Sequence, residues 1–201
     1  MTNLGVASPN PVSPEGVLLV QNGATVTTGA INLGVTNGGG GALNITGGSV
    51  VNYSALNATG PNVYVNFDSP LYVGGGSSLL GEANGGGDTL DIDATVDGSG
   101  SIWEPKAGLT VSSGTLKISG GGQFNTIDSG LEATGAARLS VAGAASTVVV
   151  GGFSTLDGSS SLAISNGGAL RAMGGLLDAS SLTVQDNGSL NVAGQGLRLE
   201  A

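Results

Sequence analysis

The stretch "SLAISNGGALRAMGGLLDASSLTV", residues 161–184, decides how the chain folds. Short apolar pairs (Leu162 and Ile164, Leu182 and Val184) alternate with small or polar residues. Between them lie runs of Gly, Asn and Ser, which favour turns over helix. The same opening recurs as "TLKI" at Thr115, "RLSV" at Arg138, "SLAI" at Ser161 and "SLTV" at Ser181. The leucines Leu116, Leu139, Leu162 and Leu182 are separated by steps of 23, 23 and 20 residues. A second apolar point follows 8 or 9 residues on, at Phe124, Val148, Leu170 and Leu190. A third follows at Leu131, Leu177 and Leu197, with Leu156 arriving two residues late in its unit.

Toward the N-terminus the beat loosens. "ALNI" at Ala42 and "TLDI" at Thr89 look like the later openings, and Leu18, Leu43, Val63 and Leu90 are the expected earlier unit starts. A unit of 20 to 27 residues with three short alternating strands and no helix predicts one turn of a β-solenoid. The expected fold is all-β, a parallel β-helix of about eight rungs of three short strands. At a rung spacing of about 4.8 Å the rod would be on the order of 40 Å long. Leu116 and Ile118 should face inward and Lys117 outward, while Gly and Asn occupy the corners. A β-sandwich is the alternative, but it predicts no repeat and wants more aromatic residues than the 3 % present. Residues 1–16 read as an extended lead-in containing Pro9, Pro11 and Pro14, and residues 17–201 as a single β-helical domain.

Composition narrows the function. Gly supplies 39 of 201 residues, yet 39 % of the chain is hydrophobic, which suits many short buried strands rather than disorder. Only five Lys and Arg stand against a formal net charge of -9, so neither nucleic acid nor an anionic membrane surface is an expected partner. The absence of Cys and His removes disulfides, thiolate metal sites and an imidazole base. No segment approaches the roughly 20 apolar residues of a membrane-spanning helix, and the N-terminus lacks the basic and apolar regions of a secretory signal.

The segments "GGALNITGGSVVN", "GTLKISGGGQFNT", "SLAISNGGALRA" and "SLTVQDNGSLNVAG" resemble the passenger repeats of bacterial autotransporter adhesins and related surface proteins. The resemblance extends over most of residues 17–199 and lies in pattern and composition. It implies a right-handed β-helix, exported and displayed on a Gram-negative cell surface. The membrane-anchoring barrel of such proteins is not in this sequence, so the expectation is a fragment of a longer exported protein.

Three local features are candidate sites. If Thr89–Asp97 is one strand, Asp91, Asp93 and Asp97 share its outer face, the first two about 6.6 Å apart. With Asp88, Asp91 and Asp93 offer oxygen ligands for Ca²⁺. "ANGGGDTLD" is similar to a single degenerate copy of the calcium-binding nonapeptide of RTX proteins, with Asp88 at its acidic position. The alternative is a solvated acidic face. Tyr53, Tyr64 and Tyr72 are clustered and would make a sugar- or partner-binding strip; the alternative is plain packing, with Tyr64 outward on an alternating strand and Val63, Val65 and Phe67 in the core. Trp103, beside Pro105, marks a corner where its ring would meet a ligand or staple a loop against the coil.

Catalysis is not expected. The acidic pair Asp91 and Asp93 has a spacing seen in glycosidases, but Arg138, Arg171 and Arg198 are scattered among different units. There is no nucleophile elbow, and no Lys or helix follows the Gly-rich runs. The expected function is a structural and adhesive stalk segment at the bacterial outer surface. Its expected partners are host or surface carbohydrate or protein, or like molecules. A Ca²⁺-dependent surface-layer or RTX-like module is the alternative, with a carbohydrate-active β-helix behind it.

Overall fold

The computed structural model describes residues 4–6, 16–33, 41–53, 55–58, 71–74, 77–81, 88–90, 93–126, 129–152, 154–156, 160–173, 176–179, 181–193 and 196–199. Among them are twenty-five strands and no helix. Each strand is three to five residues long, because a Gly-, Ser- or Asn-bearing corner follows every few residues.

The chain visits three sheets in strict rotation. Leu4–Val6 lies in the first sheet, Gly16–Val20 in the second, Thr25–Thr27 in the third, and Ala30–Leu33 returns to the first. The rotation continues to Leu182–Val184, Ser189–Val192 and Gly196–Leu199. The sheets contain nine, eight and eight strands, and every pairing is parallel and links strands one revolution apart. This is a β-solenoid.

The sequence alignment of the repeats is the register of the sheets. Leu116 pairs with Leu139, Leu139 with Leu162, and Leu162 with Leu182. On the third sheet Phe124 pairs with Val148, Val148 with Leu170, and Leu170 with Leu190. Leu156, two residues late, sits two places further along its strand. There it pairs with Ala133 and Ala179 and stays on the inner face, since a shift of two preserves the side-chain direction.

The irregular half differs from expectation. Leu43 pairs with Leu71, Leu71 with Ala94, and Ala94 with Leu116, so Ala94 rather than Leu90 stands in register with the unit starts, while Val63 lies outside the described residues. Leu90 belongs to the first sheet, opposite Val111. Two things hide this in the sequence: the long segment 59–70 breaks the spacing, and the small Ala94 stands where other units have Leu. Thr89–Asp97 is likewise not one strand. Asp88–Leu90 and Ala94–Asp97 lie in different sheets, joined across a corner.

Alternation fills the interior. Leu116 and Ile118 are buried while Lys117 is exposed, and Leu162 and Ile164 repeat the pattern around Ala163. Stacked side chains such as Ile45, Val73, Val96, Ile118, Val141 and Ile164 form columns along the axis, each member contributing about 1.5–3 kcal/mol by leaving water.

The corner between the second and third sheets sets how closely the revolutions stack. Its last residue is small throughout: Ala24, Ser49, Ser77, Ser101, Gly122, Ser146, Gly168 and Gly188. The N–H of Gly122 donates to Ser119 O (2.9 Å), closing the turn, as Ser101 does to Gly98 O (3.1 Å) and Gly168 to Ser165 O (2.9 Å). The following residue then donates to the preceding corner, as in Gln123 N to Ser101 O (2.9 Å) and Thr147 N to Gly122 O (3.0 Å). At Ser49, Ser101 and Ser146 the hydroxyl also closes the turn: Ser49 Oγ donates to Thr46 O (2.8 Å), Ser101 Oγ to Asp97 O (2.7 Å) and Ser146 Oγ to Ala142 O (2.8 Å).

Candidate functional site

Two of the aromatic residues singled out in the sequence, Tyr53 and Trp103, meet inside the coil. Tyr53 ends the strand Val50–Tyr53, whose alternation turns Val51 and Tyr53 inward. Trp103 is the central residue of Ile102–Glu104 and also points inward. Tyr53 is 1 % exposed and Trp103 fully buried, so neither ring forms a surface strip or lies against a corner. The reason is steric and apolar: inward positions of the third sheet demand bulk, and these rings supply it. Trp103 packs edge-to-face on Phe124 of the next revolution, with centroids 5.2 Å apart and an interplanar angle of 74°.

These rings need partners for their polar ends. Trp103 Nε1–H donates to Tyr53 Oη over 2.9 Å, and the Tyr53 hydroxyl donates to Asp88 Oδ2 in a short bond. Three revolutions are joined by this chain. On the intervening strand the register partner of Tyr53 is Gly81 and that of Trp103 is Leu79. Asp88 is 4 % exposed and its backbone N–H donates to Gly108 O (3.0 Å). Burial raises the Tyr53 pKa well above its ordinary value, and the Asp88 carboxylate adds to this by its charge and its hydrogen bond. The Trp103 N–H acts in the opposite sense.

Of the proposed calcium ligands, Asp88 and Asp93 lie among the described residues. Asp88 is buried on the same strand as the buried Leu90. Asp93 is exposed at the corner before Ala94–Asp97, and its Oδ1 accepts a hydrogen bond from Thr115 N (2.8 Å). Asp91 and Tyr64 lie outside the described residues. Tyr72 lies on Leu71–Gly74, in register with Asn44 and Thr95. Pro105 does mark a corner: the strand ends at Glu104, and Glu104 and Lys106 form an ion pair on either side of the proline.

Two features were missed in the sequence. The Tyr53–Asp88–Trp103 cluster was one, although alternation carried back from Leu90 already puts Asp88 inside. The other is a groove of about 370 Å³ on the outer face of the first sheet, whose rim carries Thr110, Glu132 and Thr155. These three residues come from successive revolutions, and only the register brings them together. Chemically, the enclosed cluster holds the coil in register, whereas the groove is open to a ligand.

Comparison with family models, curated proteins and solved structures gives no match.

Proposed function

We propose that the chain is a stalk segment of a surface-displayed, autotransporter-like protein, a right-handed β-helix of about eight rungs that mediates attachment or self-association outside the cell. One observation carries this reading. Continuous columns of apolar side chains and parallel ladders run from one end of the coil to the other, as in the Leu116–Leu139–Leu162–Leu182 column. Such a ladder resists bending and extension because every revolution is bonded to its neighbours along the axis. The outer faces, poor in charge, suit weak contacts multiplied over many copies.

The test is display of the segment, fused to a membrane anchor, on a Gram-negative host. Adherence to coated matrix or glycan surfaces, or settling of the cells by mutual association, is expected relative to cells carrying the anchor alone. Equal behaviour of the two populations would leave a spacer and remove the attachment role.

A further inference from the structure

We propose that the groove on the first sheet is the attachment site for a neutral, hydroxyl-rich ligand, a glycan residue, an inference that rests on the attachment reading above. The groove lies over Leu109–Val111, Leu131–Ala133 and Ser154–Leu156, where three successive strands present Thr110, Glu132 and Thr155 in one outward row. Adjacent members stand at the strand spacing of about 4.8 Å. Thr110 Oγ1 donates to Glu132 Oε2 at 3.4 Å, a long bond that steers the carboxylate along the row and leaves its other oxygen free of this contact.

At the corner end, the groove is open because Gly108 and Gly130 stack there. A Cβ at Gly108 would stand 3.1 Å from Gly130 O and 3.6 Å from Ser129 Oγ. The Ser129 hydroxyl is therefore beside this glycine corner. It is buried and has no hydrogen-bond partner among the described residues.

The donor and acceptor set selects the ligand. Glu132 is the single charged residue in the lining among the described residues, and a carboxylate accepts hydrogen bonds from two neighbouring hydroxyls of one ligand. Threonine hydroxyls on both sides can donate or accept. Among the described residues no cation lines the groove, and the chain has a net charge of -9, which disfavours an anionic ligand. One carboxylate is too few for a Ca²⁺ site built on several acidic ligands. What remains is a polyol.

The experiment applies the full chain to an array of neutral hexose and hexosamine oligosaccharides and to basic peptides, together with Thr110→Val, Glu132→Gln and a control Thr183→Val on the second sheet. All three positions face outward, so unchanged melting checks the fold. The expected result is oligosaccharide binding that falls about tenfold or more in the two groove variants and not in the control. Oligosaccharide binding that survives both groove variants would overturn the groove while leaving attachment intact. Binding of basic peptides alone would overturn the glycan assignment. No binding to either array would overturn the groove as a ligand site, and the cell-display assay then decides attachment separately.

Discussion

At Gly122, a single added carbon is intolerable. A Cβ there would stand 2.4 Å from Val96 O of the preceding revolution, and the equivalent contacts at Gly168 and Gly188 are 2.5 Å to Val141 O and 2.6 Å to Ile164 O. Backbone has to move to relieve such contacts. At Gly48, by contrast, nothing lies within 4 Å and the only cost is its φ of +72°. Gly48→Ala should therefore cost about 1–2 kcal/mol, and Gly122→Ala should cost clearly more, read as the two melting midpoints. Equal losses would mean the corner does not limit the stacking distance. The corners make a second, chemical prediction. Asn22, Asn166 and Asn187 each precede Gly, the sequence most prone to cyclise by attack of the Gly nitrogen on the Asn side chain with release of ammonia. Here those nitrogens donate to Gly47 O (2.9 Å), Asp186 O (3.0 Å) and Gln185 O (2.8 Å). Mass spectrometry of aged samples should find these three sites deamidating much more slowly in the folded chain than in urea, and equal rates would refute the protection.

At the level of the strands, the Tyr53–Asp88–Trp103 chain joins three successive strand layers whose apolar columns would otherwise permit a slip by one revolution. Tyr53→Phe keeps the ring but strips a partner from both Asp88 and the Trp103 N–H. It should destabilise by about 1–3 kcal/mol through the buried Trp103 N–H that loses its acceptor, read from chemical denaturation. The phenol also sets an alkaline limit. Its pKa is raised in the folded chain, so the stability it contributes is complete below the unfolded-state value of about 10 and is lost as pH climbs through the folded value. One of the three tyrosines should then resist ionisation, followed by ultraviolet absorbance, until the alkaline transition unfolds the chain. Ionisation of all three before unfolding would show that the cluster is open to solvent. Alternation alone makes Tyr53 and Asp88 legible as inward-facing within their strands. The partnership is not legible, because Tyr53 and Trp103 are 50 residues apart and stand two revolutions from each other.

Across the whole molecule, legibility followed the regularity of the repeat. In the C-terminal half each unit opens on Leu, and reading leucine to leucine reproduces the pairing residue by residue, as at Leu139 and Leu162. In the N-terminal half the unit starting at Ala94 has no leucine to announce it, and the segment at 59–70 stretches the step from Leu43 to Leu71. A surface row such as Thr110, Glu132 and Thr155 has no signature within any single unit, since outward positions are not selected for bulk. Truncation inside a column should propagate: Leu162→Ala removes a buried side chain bonded into layers above and below, at about 2–5 kcal/mol. Calorimetry should show a lowered midpoint, and an unchanged one would argue against stacked packing.

The parallel register itself is open to a direct test because the chain contains no cysteine. Lys117 and Ser140 are outward register partners on adjacent strands, and Ala163 stands one strand further along the same row. Parallel neighbours about 4.8 Å apart lie within disulfide range, whereas next-nearest strands at about twice that distance do not. Paired Lys117→Cys and Ser140→Cys substitutions should oxidise to an intramolecular disulfide in the folded chain, and Lys117→Cys with Ala163→Cys should stay reduced. Failure of the first pair, or cross-linking of the second, would contradict the β-solenoid register on which the stalk rests.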